Sequence, residues 1–288
     1  MCFVVFTVWV TVVQHYLFNQ DRSVKSNQLD AKLDYYYILN QKSNLNFVGG
    51  SILSKQNFDS RFYQILDNNS EFEPNPTIPG IANTNTANDT EYNFTDIYAG
   101  LRYRLKTGIF TFTPGFTAHA YSINNTQFGG SKMYEDSFHK FLPEFETIAQ
   151  FKRSESLTFR YKQEVNFTDV NQLAEGLVAN SYNNFFYGNN NLMNGTNQST
   201  SLNYSNFNLY NGTSMFALLR HTKSIDQIGS IANFIPGSNV STRTNQNLPF
   251  DTESILAIAS FSKTFKKIRT GISGNYNKNR GYQFFGDN

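Results

Sequence analysis

The residue types in this 288-residue chain that could do chemistry are few and dispersed. The four histidines, His15, His119, His139 and His221, form no His-x-x-x-His pair. They read as ordinary strand or loop histidines, and no metal site is expected. The lone cysteine, Cys2, sits among Phe and Val, which excludes an intrachain disulfide, a thiolate metal cluster and a CxxC pair. It reads as an inert thiol. Glu144 and Glu146 fall on one face of a strand and could mimic a catalytic carboxylate pair. Without a matched pocket they read as wall residues facing Arg160 or Lys162 on the neighbouring strand. His119 and His139 flank a loop near Glu135 and Asp136, residue types that a surface hydrolase would use. The chain has no Gly-x-Ser-x-Gly, no P-loop and no Gly-x-Gly-x-x-Gly. The expectation is a protein without catalysis and without a cofactor.

The remaining charged residues show what must position them. Around a tight turn at Lys106-Thr107-Gly108, Ile97, Ala99, Leu101, Tyr103 and Leu105 alternate with Gly100, Arg102 and Arg104. Side chains alternate faces along a strand, so this arm has one apolar and one cationic side. The returning arm sets Phe110, Phe112, Phe116 and Ala118 against Thr111, Thr113, Gly115 and Thr117. Further on, Phe141, Phe145 and Thr147 alternate with Glu144 and Glu146, and Leu157, Phe159, Tyr161 and Val165 with Arg160, Lys162 and Glu164. Each arm has about the ten residues that cross a bilayer as a tilted strand. A soluble sheet would hide the apolar stripe, whereas a membrane barrel turns it to lipid and keeps the polar stripe in a wet lumen.

The order of the connections decides between the two. Tight turns at 40–44, 106–108, 152–156, 210–212 and near 266–267 alternate with longer polar segments at 55–92, 124–135, 168–200 and 228–251. The long segments are rich in Asn, Thr, Gly and Pro and read as loops. A β-sandwich has no reason to segregate loop length this way, while outer-membrane barrels carry tight turns on one side and long loops on the other. The fold class expected is therefore an all-β, antiparallel up-and-down transmembrane β-barrel of about ten strands, part of a larger barrel. Arg102, Arg104, Glu144, Glu146, Arg160, Lys162 and Glu164 would line its lumen.

Composition agrees. Hydrophobic residues make up 39%, too few for a bundle of apolar helices but what one greasy face per strand requires. The aromatics, 28 Phe and 17 Tyr against one Trp, favour strands and interfacial girdles. A net charge of +2 with no basic stripe argues against a nucleic-acid partner. Residues 1–18 are apolar and Val-rich, with no preceding basic residue and no small-x-small cleavage site. They read as a strand or a truncated barrel arm better than as a signal peptide. This divides the chain into residues 1–27, an uncertain N-terminal strand or truncated arm, and residues 28–288, a partial outer-membrane barrel domain.

A family resemblance adds to this reading. Phe141-Leu142-Pro143-Glu144-Phe145 opens one strand and Leu157-Thr158-Phe159-Arg160-Tyr161 the next. Asn171-Gln172-Leu173 follows, then Tyr187-Gly188-Asn189-Asn190-Asn191-Leu192. The series resembles the C-terminal barrel region of TonB-dependent receptor-like outer-membrane proteins of the Bacteroidetes type, the outer membrane protein beta-barrel family. The chain departs from that pattern at Asn190, where the family usually has Pro, and at Met193-Asn194, where Pro-Glu commonly follows. The resemblance covers roughly residue 28 onward. It implies about half of a barrel of about twenty-two strands, with the plug domain and TonB-contacting segment absent from this chain.

The function expected on this resemblance is substrate binding and uptake across the bacterial outer membrane. The partners implied are membrane lipid, a small-molecule, peptide or glycan substrate, and the TonB system through a plug. Phe185, Phe186, Tyr187 and Asn189 are the candidate ligand-contacting loop residues. The alternatives are a complete ten-stranded barrel hydrolase, for which His119 and Asp136 would matter, and a soluble β-sandwich adhesin or lectin.

Overall fold

A computed structural model describes residues 17–73, 85–181, 183–208, 210–235, 237, 239–282 and 284–285. The expectation of an N-terminal strand over residues 1–18 lies almost wholly outside these. In chain order come β1 (Leu17–Asn40), β2 (Ser43–Ile65), β3 (Glu71–Phe72), β4 (Ala87–Thr107), β5 (Phe110–Gln127), β6 (Lys132–Lys152) and β7 (Glu155–Asn166). A single helical turn, α1 (Val170–Leu173), and the short strands β8 (Val178–Ser181) and β9 (Asn184–Phe186) precede β10 (Gly195–Asn208) and β11 (Thr213–Ile225). β12 (Ile228–Phe234) and β13 (Ser241–Asn247) lie before β14 (Thr252–Phe265), and β15 (Ile268–Arg280) and β16 (Phe284–Phe285) complete the order.

The long strands form one antiparallel up-and-down sheet in the order β1-β2-β4-β5-β6-β7-β10-β11-β14-β15, with β3 on the end of β2. Strands next to one another in the chain are next to one another in the wall, as tight turns dictate. Among the described residues β1 and β15 are the edges, so the sheet is an open wall rather than a closed cylinder.

The wall is oriented as a membrane barrel requires. Leu29, Leu33, Leu53, Ile97, Phe116, Phe141, Leu219 and Ile272 all point outward and stay exposed, Leu33 at 72% and Ile272 at 74%. The register carries this stripe from strand to strand: Leu219 faces Leu202 on β10 and Ala257 on β14, and Phe261 faces Met215 and Ile272. The opposite, concave face buries Asn46, Ser54, Asn88, Thr90, Asp96, Asn125 and Gln127. An apolar exterior around a polar interior is stable when the exterior meets hydrocarbon. No helix among the described residues is long and apolar enough to cross a membrane, and crossing falls to the strands.

Turn positions follow the expected alternation with specific departures. Tight connections at 41–42, 108–109, 153–154, 210–212 and 266–267 share one end of the wall. At the other end the strands run much further than their apolar stripes suggest. β1, β2, β4 and β6 have 24, 23, 21 and 21 residues, about twice what a crossing needs. The segment 55–92, expected to be loop, is strand up to Ile65 and again from Ala87. The loop expected at 124–135 is only residues 128–131. Beyond the membrane the outward face meets water, and the inward face mixes polar residues with a few apolar anchors such as Phe58 and Tyr92, so no sustained alternation reveals the strand.

The two remaining long connections are folded. Residues 167–194 contain α1, β8 and β9, and residues 226–251 contain the β12–β13 hairpin. They pair with each other in a second sheet of order β16-β12-β13-β9-β8, in which Asn184, Phe185 and Phe186 run parallel to Ser241, Thr242 and Arg243. The irregular stretch expected at 168–200 thus ends at Gly195, where β10 begins.

Candidate functional site

The concave face carries two layers, a ladder of charged groups towards the tight turns and a docked loop towards the far end. The ladder begins on β1, where Lys32 Nζ lies 2.8 Å from Asp34 Oδ2. Asn46 of β2 donates to Asp34 Oδ1 at 3.4 Å and accepts from Arg102 Nη1 of β4 at 3.4 Å. Arg102 in turn pairs with Glu144 of β6. Glu146 of β6 accepts from Arg160 Nε of β7 at 2.8 Å, and Lys162 pairs with Glu164 along β7. Six of the seven expected lumen residues therefore meet in ion pairs. Arg104, the seventh, is exposed opposite Asn44, nearer the tight turns. Glu144 stands opposite Lys162 in register, yet its carboxylate is taken by Arg102 two strands away.

Above the ladder, His119 of β5 packs between Tyr98 and Tyr121 with ring centroids 5.1 and 5.3 Å away. Its Nδ1 is 3.0 Å from both oxygens of Asp96, whose side chain is 4% exposed, and its Nε2 is 3.1 Å from Thr117 Oγ1. Both ring nitrogens are thus engaged within the wall. Asp136, the partner a hydrolase reading would give His119, lines a different groove on β6. His139 occupies the outward-facing register of β6, opposite Ala120. Among the described residues no group of three or more His, Cys, Asp or Glu side chains is placed to hold a metal ion.

The loop of residues 167–194 is seated in the concave face by side chains of several wall strands. Phe58 of β2, Tyr92 and Phe94 of β4, and Tyr121 and Ile123 of β5 form one buried cluster with Val170, Leu173, Ala174, Val178 and Leu192 of the loop. Phe167 closes the cluster 4.5 Å from Phe94 and 4.9 Å from Tyr121. α1 is started by a reciprocal cap: Gln172 N–H donates to Asp169 Oδ1 at 3.0 Å, and Asp169 N–H donates to Gln172 Oε1 at 3.1 Å.

Around the apolar cluster, wall carboxamides bind the loop's backbone at both of their functional ends. Gln127 donates to Leu173 O at 2.9 Å and accepts from Glu175 N–H at 3.0 Å. Asn88 donates to Gly176 O at 3.1 Å and accepts from Gly176 N–H at 2.7 Å. Gln20 donates to Ala179 O at 3.2 Å and accepts from Ala179 N–H at 2.6 Å. Asn247, on β13 of the second sheet and not on the wall, does the same to Met193, at 2.8 Å for each bond. One carboxamide supplies a donor and an acceptor, so each clamp replaces one step of a strand ladder.

Two of the four segments that carried the family resemblance meet here. Asn189 N–H donates to Gln172 O at 2.8 Å and Gly188 N–H to Ala174 O at 2.7 Å. A Cβ at Gly188 would lie 2.4 Å from Ala174 O, so this approach needs glycine. Of the loop residues expected to contact ligand, Phe185 stacks edge-on with Phe62 at 6.2 Å, and Phe185 and Phe186 belong to β9. Tyr187 N–H donates to Arg243 O at 3.0 Å, and burial pushes its hydroxyl above the ordinary tyrosine range, partly offset by the nearby Thr244 and Asn233 side chains. Asn189 spends its carboxamide on Asn245 O and on the N–H of Asn191. The four residues are gathered in one place, where they knit the second sheet together. The clamps themselves were not expected, because Asn richness alone reads as turn-forming.

A family model described as the outer membrane protein beta-barrel family matches residues 10–288. No curated protein matches in sequence. Among solved structures, the chain is similar to a double mutant of the Serratia marcescens hemophore receptor HasR in complex with its hemophore HasA and heme. That likeness has a TM-score of 0.61 at 10% identity, covering 90% of this chain and 42% of that one. It is also similar to the copper transporter OprC, with a TM-score of 0.60 at 11% identity over 91% of this chain and 39% of that one. The FrpB iron transporter from Neisseria meningitidis (F3-3 variant) gives 0.56 at 11% identity, over 89% and 36%. The chain spans about two fifths of the length of these solved structures, and the likeness is one of fold.

Proposed function

The chain belongs to the outer membrane protein beta-barrel family, placing it in the bacterial outer membrane, and from that premise we propose that it is wall and loops of a TonB-dependent uptake receptor. The observation that carries this reading is the seated loop of residues 167–194 above an ion-paired concave face. A wall whose interior is lined by charge and capped by a folded loop suits a molecule that captures solutes and passes them inward. The solute is a small molecule, peptide or glycan. TonB would act through a plug contributed outside the described residues, held against the ladder from Arg102 to Glu164. No catalytic step is assigned to Asp96, His119 and Thr117, whose hydrogen bonds are mutual.

The test is accumulation of radiolabelled solutes in cells that carry the full-length protein or lack it, with and without a proton uncoupler. Uptake that needs the protein and stops with the uncoupler is the expected result. Equal accumulation in the two strains across peptides, glycans and metal chelates would overturn the reading.

A further inference from the structure

The seated loop leaves a groove of about 220 Å³ between itself, β5 and β6. Its floor is apolar, made by Ile123, Phe138, Leu173 and Leu192. Asp136 and Lys140 of β6 and Asp226, at the start of the connection after β11, line the same groove. Along the ladder charges are matched, but these three groups make no ion pair among the described residues.

Charges of both signs left open over an apolar floor define a complementary occupant, one with an ammonium, a carboxylate and an apolar side chain between them. Asp136 and Lys140 hold inward-facing positions four residues apart on one strand. At about 3.4 Å per residue their backbones are about 14 Å apart. Two extended residues of peptide span about 7 Å, and the lysine stem can close the rest. The groove lies below the roughly 300 Å³ at which pockets for larger ligands begin, a size that suits a dipeptide better than a chelate or an oligosaccharide.

We propose that the groove binds a zwitterionic dipeptide with an apolar side chain, its ammonium at Asp136 and Asp226, its carboxylate at Lys140 and its side chain on Leu173 and Leu192. This deepens the uptake reading, on which its physiological meaning rests, while the binding itself does not depend on transport.

The experiment is calorimetric titration of the full chain in detergent micelles with L-alanyl-L-leucine, its N-acetyl form and its C-terminal amide. Circular dichroism melts establish that each variant is folded. Saturable one-to-one binding of the free dipeptide is expected, weakened by about tenfold or more when either terminus is blocked, since each charge-assisted contact is lost whole. Asp136→Asn should weaken the free dipeptide and leave the N-acetyl form unchanged. Lys140→Met should weaken the free dipeptide and leave the amide unchanged. This selective loss separates contact with the termini from general damage. No saturable binding to folded protein, or equal losses for all three ligands in both variants, would overturn the proposal. Neither result touches the accumulation test, so the site and the uptake reading can fail separately.

Discussion

Arg102 and Glu144 pair across a strand that separates them. Arg102 is on β4, Glu144 on β6, and the β5 residue level with both is Gly115. A Cβ on Gly115 would lie 2.8 Å from Arg102 Cγ and 3.1 Å from Glu144 Oε1. The missing side chain is what opens the path. Gly115→Ala must shift the base of the Arg102 side chain and crowd the Leu101 carbonyl, 3.1 Å away, and should cost about 1 kcal/mol. Gly115→Leu fills the gap and should cost about 1–3 kcal/mol by overpacking. Glu144→Gln should cost no more than about 1 kcal/mol, since the pair is partly solvated. Thermal unfolding in detergent, followed by circular dichroism, reads the ranking. A leucine variant as stable as the parent would show that the pair does not need this passage.

Gln127→Ala leaves Leu173 O and Glu175 N–H without their partner in a buried setting, at a cost of about 1–3 kcal/mol. The cost should fall on loop seating and spare the wall. Hydrogen exchange at residues 173–179 should accelerate, while β4 and β5 keep their protection. Unchanged exchange at those amides would mean that the clamp does not hold the loop.

Leu173 is 2% exposed at the centre of the apolar cluster. Truncation to alanine in such a setting typically costs about 2–5 kcal/mol. Limited proteolysis of Leu173→Ala in micelles should therefore cleave within residues 167–194 far faster than in the parent chain. Cleavage at the parental rate would place the seating energy elsewhere.

The outward stripe gives a sharper test of orientation. Leu33 lies midway along the exposed apolar run of β1, so Leu33→Arg should cost about 2–4 kcal/mol in a lipid bilayer. Arg160→Leu, on the concave face, should change stability by about 1 kcal/mol or less. Folding assays in vesicles compare the two. A tolerated arginine at Leu33 would mean that this stripe does not meet hydrocarbon.

The membrane part of the wall was legible in the sequence because one physical force acts on alternate residues. Leu29, Leu33, Tyr35, Tyr37 and Leu39 must all be apolar to meet lipid, and the stripe marks strand and face together. The same logic fails at Gln20, Gln56 and Asn88. These occupy strand beyond the membrane, where no solvent contrast enforces alternation, and the segment around them resembles loop. The clamps were hidden for another reason. Gln20 meets Ala179 at a separation of 159 residues and Asn88 meets Gly176 at 88. Composition reports that carboxamides are abundant but carries no trace of such pairings. His119 shows the same limit, since register, 23 residues back, and not proximity in sequence gives it Asp96.

The clamps on the loop read only the polypeptide main chain. Gln20, Asn88 and Gln127 recognise an N–H and a carbonyl, which every amino acid except proline offers. Apart from the few anchors that enter the apolar cluster, and from Gly176 and Gly188, where a Cβ would lie 2.4 Å from Ala87 O and from Ala174 O, the loop can therefore diversify its side chains without losing its seat. A barrel wall built this way can change the surface at its mouth by point substitution while its scaffold stays put.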